Sequence, residues 1–261
     1  MIKIILGALN EAQNLKILLP EICDQMQKLK LDFEIILCID ASSDDSQEII
    51  LAQKNTYPIR ILDFCKEKGL GKAIKRLFLD VINNSQDEDV IISMDADNTH
   101  FPRQIEEIID YFKQNSQTEV LILSRFCNNS KIIDFPFRRI LISKTTSFLL
   151  QIVFGIKRVS GGKIKDYSSG YRAYKAYKVK ELYQKLGDDF IRQNDFTHTC
   201  ELLINFDKIN AKFDEIGLYY DYGKKIGASK LRFFENARSL LKLMAKKMFS
   251  RLGFFTKTAI F

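Results

Sequence analysis

Two aspartates one residue apart, Asp95 and Asp97, follow directly on the apolar run Val90-Ile91-Ile92-Ser93-Met94. A run of this kind reads as a buried strand, and open α/β sheets bind their ligands beyond the C-terminal ends of the strands. The acids add nothing to packing, and their clustered charge needs a cation or solvent to neutralise it. Hard carboxylate oxygens suit Mg2+ or Mn2+, with phosphate oxygens completing the shell. Taken alone, the tripeptide is equally an ordinary strand exit carrying two solvated aspartates.

Three other polar clusters also follow apolar runs. Asn10-Glu11 has the composition of a helix N-terminus with an acidic first turn. Asp40-Ala41-Ser42-Ser43-Asp44 has a capping reading too, yet Asp40 stands at the strand terminus, where a carboxylate could accept from a ribose or base. Glu67-Lys68-Gly69-Leu70-Gly71-Lys72 offers two glycines for close backbone approach and lysines for phosphate.

The elements that must position these clusters alternate. Strands are predicted at Ile2–Leu6, Phe33–Ile39, Ile59–Asp63, Val90–Met94 and Val120–Leu123, with helices at Glu11–Leu29, Asp44–Asn55, Lys72–Asn83 and Pro102–Gln114 between them. This alternation implies an α/β fold with a mostly parallel sheet flanked by helices. After Ser124 the pattern changes to a basic and aromatic loop, Arg125–Arg139, and an apolar stretch, Ile140–Phe154. Lys144, Thr145, Thr146 and Gln151 interrupt that stretch, which is too short and polar for a span of roughly 20 apolar residues. A loop with Gly161-Gly162 and the polar segment Asp166–Arg172 come next.

The 261 residues suffice for a full core, and the N-terminal run into Gly7 reads as a first strand, not a signal peptide. Five scattered cysteines without a Cys-x-x-Cys pair speak for a reducing compartment and against a zinc or disulfide framework. The net charge of +7 is uneven: residues 224–261 hold ten Lys or Arg against Glu235, a charge of +9, so the rest carries −2. A net acidic body argues against a nucleic-acid partner. A nucleotidyltransferase would also use two aspartates, a metal and a glycine turn, and differs in its products. The two histidines, His100 and His198, lie far apart in sequence and support no catalytic pair.

The ordered set Ala8-Leu9-Asn10-Glu11, Asp40-Ala41-Ser42-Ser43-Asp44, Gly69-Leu70-Gly71-Lys72-Ala73 and Asp95-Ala96-Asp97 resembles the family 2 glycosyltransferases, which have the GT-A fold, a Rossmann-like sheet. Ser124-Arg125, Arg138-Arg139-Ile140-Leu141-Ile142-Ser143, Asp166-Tyr167-Ser168-Ser169-Gly170-Tyr171-Arg172 and Gly227-Ala228-Ser229-Lys230-Leu231 resemble its polyprenyl-phosphate branch, the enzymes similar to dolichol-phosphate mannose synthase. The resemblance implies that Asn10, Glu11 and Asp40 hold the nucleoside of a UDP- or GDP-linked sugar. It implies that the turn with Gly71 and Lys72 approaches the donor, and that Asp95 and Asp97 bind Mg2+ or Mn2+ at its diphosphate. The chain departs from the family at Gly7 and Leu9, which replace a proline and an aromatic residue, and at Ile39, which replaces an aspartate. Thr99 replaces the amide or other ligand past the acidic pair, leaving Asn98, Thr99 or His100 as third contacts. Lys224 replaces an arginine, giving charge without a bidentate fork.

On that resemblance the expected reaction is inverting transfer of a sugar to a polyprenyl phosphate, or alternatively to a saccharide or glycolipid hydroxyl in cell-surface polysaccharide synthesis. A lipid phosphate is already anionic and requires cationic positioning, for which Arg125, Arg138, Arg139, Arg172 and Lys224 are candidates. A hydroxyl acceptor requires a carboxylate base, for which Asp166 and Glu201 are candidates. In the tail, a helix from Leu231 to Leu252 would align Phe234, Ala237, Leu241, Met244, Ala245, Met248 and Leu252, with Arg238, Lys242, Lys246 and Arg251 mainly off that stripe. A basic amphipathic helix reads as an anchor on an anionic membrane surface, the competing reading being a helix packed back on the body. The expected organisation is a catalytic domain over 1–230 and a membrane-associating tail over 231–261, peripheral at the inner, cytoplasmic face of the membrane.

Overall fold

The computed structural model describes residues 1–39, 42–64, 69–227 and 233–251. Asp40, Ala41, Glu67, Lys68, Ala228, Ser229, Lys230, Leu231 and Leu252, among the residues singled out above, lie outside it.

The first half follows the expected alternation: β1 (Ile2–Ala8), α1 (Ala12–Leu29), β2 (Phe33–Ile39), α2 (Ser46–Lys54), β3 (Ile59–Phe64), α3 (Leu70–Asn84), β4 (Val90–Asp95), α4 (Gln104–Gln114) and β5 (Val120–Ser124). Central strand residues such as Ile4, Ile5 and Leu6 are fully buried. That fits a sheet covered on both faces, whose strands are continuous apolar runs. α1 and α4 cover one face through Leu15, Leu18, Ile22, Ile105 and Ile108, and α3 covers the other through Ile74, Leu77, Phe78 and Val81.

The second half adds β6 (Lys131–Ile133), α5 (Phe137–Phe154), β7 (Arg172–Lys175), α6 (Ala176–Leu186), α7 (His198–Lys208), β8 (Phe213–Gly217), β9 (Tyr219–Asp221) and α8 (Phe233–Arg251). The large sheet has the order β3-β2-β1-β4-β7-β5-β8, and β6 pairs with β9 in a small parallel ribbon. Within the large sheet only β7 runs antiparallel, between β4 and β5. β1 has β2 on one side and β4 on the other, so the direction of winding reverses between β1 and β4. At that seam Gly7 is level with Asp95, which puts the acidic pair at the topological switch point, where α/β sheets open a crevice for ligands.

β7 enters the sheet from the same edge, with Arg172 opposite Ser93 and Ile122. The segment Asp166–Tyr171 therefore lies beside the end of β4. α8 matches the predicted tail helix within a residue or two at its N-terminus. Leu240 and Met244 pack against the core, and the Ser239 hydroxyl donates to Asp195 Oδ2 at 2.7 Å. Met244 thus faces the body, whereas Leu241 is 63% exposed, so the residues expected to form one apolar stripe divide between protein and solvent.

Candidate active site

The acidic loop is folded tightly on itself. Asn98 takes φ +61°, a left-handed conformation that asparagine tolerates better than most residues. Thr99 donates to Asp97 Oδ1 through its backbone N–H (3.3 Å) and its hydroxyl (2.6 Å). Lys225 donates to Asp97 Oδ2 at 2.5 Å, with both side chains largely buried. Burial opposes ionisation of Asp97, but the Lys225 ammonium and the Thr99 hydroxyl outweigh it and hold the carboxyl below the usual aspartate range. Asp95 is pushed the other way by burial, with the charge of Asp97 adding to it, although 43% of its side chain still meets solvent.

His100 serves this loop as a scaffold. Its Nδ1 accepts from the Asp95 backbone N–H at 3.2 Å, which puts the ring proton on Nε2, 3.7 Å from Asp95 Oδ2. Burial pushes the imidazole below its usual range, and the neutral ring stacks on Tyr171 at 4.8 Å.

Two carboxylates, one of them with an open edge, share this loop with Asn98 Oδ1, a buried amide oxygen without a hydrogen-bond partner. Hard oxygen donors of this kind fit Mg2+ or Mn2+. Among the described residues no three His, Cys, Asp or Glu side chains cluster as a metal cage, so phosphate oxygens and water would supply much of the shell. Gly170 borders the same carboxylate, since a Cβ there would stand 2.8 Å from Asp95 Oδ1.

The loops after β1 and β2 interlock. Asn10 Oδ1 accepts from Ser43 N at 2.7 Å, and Asn10 N donates to Ser42 Oγ at 2.8 Å. Glu11 N donates to Ser46 Oγ at 3.1 Å, and the Glu11 carboxylate accepts from Asn14 Nδ2 at 2.6 Å. The glycine turn has another task. A Cβ on Gly71 would sit 1.9 Å from the Gln193 carbonyl oxygen, and Gly71 N donates to Asn194 O. The close approach that Gly71 permits is therefore to protein backbone in the first turn of α3, where Lys72 also lies.

The cationic side is built around a buried ion pair. Arg125 grips Asp166 with Nε (2.8 Å), Nη2 (2.6 Å) and its backbone N–H (3.0 Å). Asp166 also accepts from the N–H groups of Ser168 and Ser169. Burial opposes its charge, yet Arg125 holds it below the usual range, so a carboxylate already satisfied by five donors is a poor proton acceptor. Ser168 Oγ accepts from Arg125 at 2.7 Å and lies 3.3 Å from Ser143 Oγ. Arg139 lies over the Tyr222 ring at 5.3 Å and donates to its hydroxyl at 3.2 Å. Arg172 is fully buried, donating to the carbonyls of Thr199 (2.6 Å) and Tyr167 (2.8 Å).

Asp95 thus closes β4, and Asp97, Asn10, Glu11, Arg125 and Asp166 stand on loops at the same end of the sheet. Two candidates are placed elsewhere. Glu201 accepts from the N–H groups of Arg192 and Gln193 at 2.8 Å, anchoring the loop on which Gly71 packs; its pKa is raised by burial. Lys224 pairs with Glu21 at 3.3 Å and lies over Phe101, while its neighbour Lys225 reaches the acids. No spacing rule distinguishes two adjacent lysines that a short turn points in different directions. A small cavity of about 50 Å³ opens beneath Asp95, bordered by Ser168, Gly170, Arg172, His198 and Phe196. His198 is pushed down by burial to about 4 and is neutral near pH 7.

Comparison with known proteins bears on this arrangement. Residues 3–183 match glycosyl transferase family 2. A dolichol-phosphate mannosyltransferase of Pyrococcus furiosus is 33% identical over 172 residues, 66% of this chain and 45% of that protein. This chain therefore spans less than half the length of that relative. A polyprenol monophosphomannose synthase of Mycolicibacterium smegmatis is 23% identical over 237 residues, covering 87% of this chain and 80% of the relative. An undecaprenyl-phosphate mannosyltransferase of Micrococcus luteus is 22% identical over 228 residues, covering 87% and 86%. The crystal structure of glucosyl-3-phosphoglycerate synthase of Mycobacterium tuberculosis superposes with a TM-score of 0.61 at 18% identity, over 99% of this chain and 82% of that one. The same enzyme with Mn2+, uridine diphosphate and glucosyl-3-phosphoglycerate gives 0.58 at 18% identity, over 99% of this chain and 81% of that one. At this identity the likeness is one of fold, and the fold is of GT-A type.

Proposed function

The chain belongs to glycosyl transferase family 2, and on that premise we propose that it moves a sugar, with inversion, from a nucleoside diphosphate to a polyprenyl phosphate at a membrane surface. The observation that carries the reading is the state of the candidate bases. Asp166 is committed to Arg125, and Glu201 is committed to the backbone of residues 192–193. An acceptor that is already an anion needs no proton removed, and what this face offers it is guanidinium and hydroxyl groups.

The residues divide the work accordingly. Asn10, with Ser42 and Ser43, shapes the crevice at the ends of β1 and β2 for the nucleoside. Asp40 is assigned to the same contact from its place in the motif alone. Asp95 and Asp97 would hold Mg2+ or Mn2+, which supplies charge stabilisation to the departing diphosphate without proton transfer. The sugar would lie on the open side of Asp95, next to the small cavity bordered by Gly170 and the first turn of α7. Arg125, aimed by Asp166, and Ser143 and Arg139 from the start of α5 would orient the acceptor phosphate towards the anomeric carbon. Alignment of this kind removes much of the entropic part of the barrier. Asp166 is thus a positioning residue for Arg125.

The membrane part of the proposal rests on α5. Phe137, Leu141, Phe148 and Ile152 are 75%, 56%, 59% and 60% exposed. Their spacing of four, seven and four places them on one side of the helix, opposite the buried Ser147, Leu150 and Val153. Exposed Arg138 and Lys144 flank that side. Among the described residues no helix is long and apolar enough to cross a membrane. A helix that turns large apolar side chains outward beside basic ones suits an interface of anionic lipid, where the acceptor's chain would also lie. We place the enzyme at the cytoplasmic face, where nucleotide sugars are made.

The test is release of nucleoside diphosphate from UDP- and GDP-sugars with Mg2+ or Mn2+, using undecaprenyl phosphate, mixed glycolipids or no acceptor. Stimulation by the lipid phosphate, lost in Asp97→Ala, is expected. Stimulation by glycolipids alone would move the assignment to a hydroxyl acceptor.

A further inference from the structure

Lys225 is the one cation that the described structure places in hydrogen-bonding contact with the acidic pair. Its ammonium lies 2.5 Å from Asp97 Oδ2, and Glu11 and Asp95 are the next negative charges it meets. The contact is built into the backbone. Asp221 N donates to Thr99 O at 3.1 Å, and Tyr220 bridges to His100, so the segment after β8 is laced to the acidic loop. Five residues after Asp221, Asn14 of α1 clamps Ile226 from both sides, accepting from its N–H and donating to its carbonyl, each at 3.0 Å. Lys225 is presented to Asp97 from a strap fixed at both ends, and only its flexible four-carbon stem is left to move.

We infer that Lys225 is a built-in counter-ion of the metal carboxylate, which leaves Asp97 when the divalent cation binds and becomes a ligand of the donor's diphosphate. The inference rests on the reading of Asp95 and Asp97 as metal ligands. Its logic is one of charge. With Lys225 in place, two carboxylates face one ammonium. A dication added alone would be set against that ammonium, a like-charge contact that opposes its entry. A nucleoside diphosphate arriving with the cation would resolve the conflict, because its anionic oxygens can serve both as ligands for the dication and as acceptors for the displaced ammonium. The two ligands therefore bind with positive coupling, and by linkage each raises the affinity of the other by the same factor. Lys225, and not Lys224, becomes the C-terminal cation of the donor site, since Lys224 is held by Glu21 and Phe101.

Mn2+ binding to the full chain, followed by the electron paramagnetic resonance of free Mn2+, tests this without reference to turnover. The ion is titrated alone and with UDP or GDP, in the wild type, Lys225→Met, Lys225→Arg and Asp97→Asn. The wild type should bind Mn2+ weakly alone and about tenfold or more tightly with one of the nucleotides, within the usual range of coupling. Lys225→Met should bind Mn2+ alone about tenfold more tightly than the wild type and lose most of the nucleotide effect. Lys225→Arg, which keeps the charge, should behave as the wild type. Mn2+ that requires Asp97 yet binds Lys225→Met no more tightly than the wild type would overturn the counter-ion role and leave the metal assignment standing. Absence of Mn2+ binding in every protein, with or without nucleotide, would overturn both.

Discussion

At the scale of residues, the site is a set of charges whose partners decide their roles. Asp166 has the composition of a base and the surroundings of a structural anion. Removing one member of a buried ion pair strands the other, at about 3–5 kcal/mol. Asp166→Asn should therefore lower unfolding stability by roughly that amount in urea and slow transfer further by freeing Arg125 to turn. The pH dependence has a definite sign. The folded-state pKa of Asp166 lies below its unfolded value, so its contribution is complete above about pH 4 and disappears as the pH falls through the folded value. The urea midpoint of the wild type should drop on acidification below about pH 4 more steeply than that of Asp166→Asn. Equal slopes would remove this assignment. Asp95 and Asp97 were legible as a pair from sequence because two acids at the end of an apolar run have few structural reasons to be there. Lys225 and the structural tasks of Arg172 and Gly71 were not, because each depends on contacts with segments more than 20 residues away.

At the scale of elements, legibility follows periodicity. β1 to β5 and α1 to α4 carry long apolar runs or clear helical spacing, and they form where expected to within a few residues. β7 is only four residues long and begins with an arginine, so neither its length nor its pattern announces a central strand. Pairing on both sides makes it one, and it delivers the Asp166–Tyr171 segment to the acids. α5 was legible as an apolar stretch next to Arg138 and Arg139, and which of its side chains face outward was not. Burying a large apolar side chain contributes about 1.5–3 kcal/mol, so four of them partly inserted into lipid supply several kcal/mol of adsorption. Phe137→Glu combined with Phe148→Glu should abolish flotation with anionic liposomes while leaving the thermal midpoint within a few degrees, because neither side chain packs in the core. Undiminished flotation would exclude α5 as the membrane face.

At the scale of the molecule, the chain puts its basic charge at one end of the sequence and its net negative charge in the rest. α8 carries Arg238 and Lys242 exposed while resting Leu240 and Met244 on the body. It makes contact with α5, so the basic and apolar surfaces are neighbours. Basic residues near an anionic surface contribute about 1 kcal/mol each, and salt screens them. Binding to vesicles rich in anionic lipid should therefore weaken as salt is raised, and Arg238→Gln with Lys242→Gln should flatten that dependence; a salt-independent wild type would contradict it. On the proposed reading, this face of the GT-A sheet is furnished for an anion and not for a hydroxyl that must lose its proton. The most direct measurement is transfer of labelled sugar from the donor that turns over to a polyprenyl phosphate and to the polyprenol of the same chain length. Transfer to the phosphate alone is the predicted result, and transfer to the alcohol at a comparable rate would contradict it.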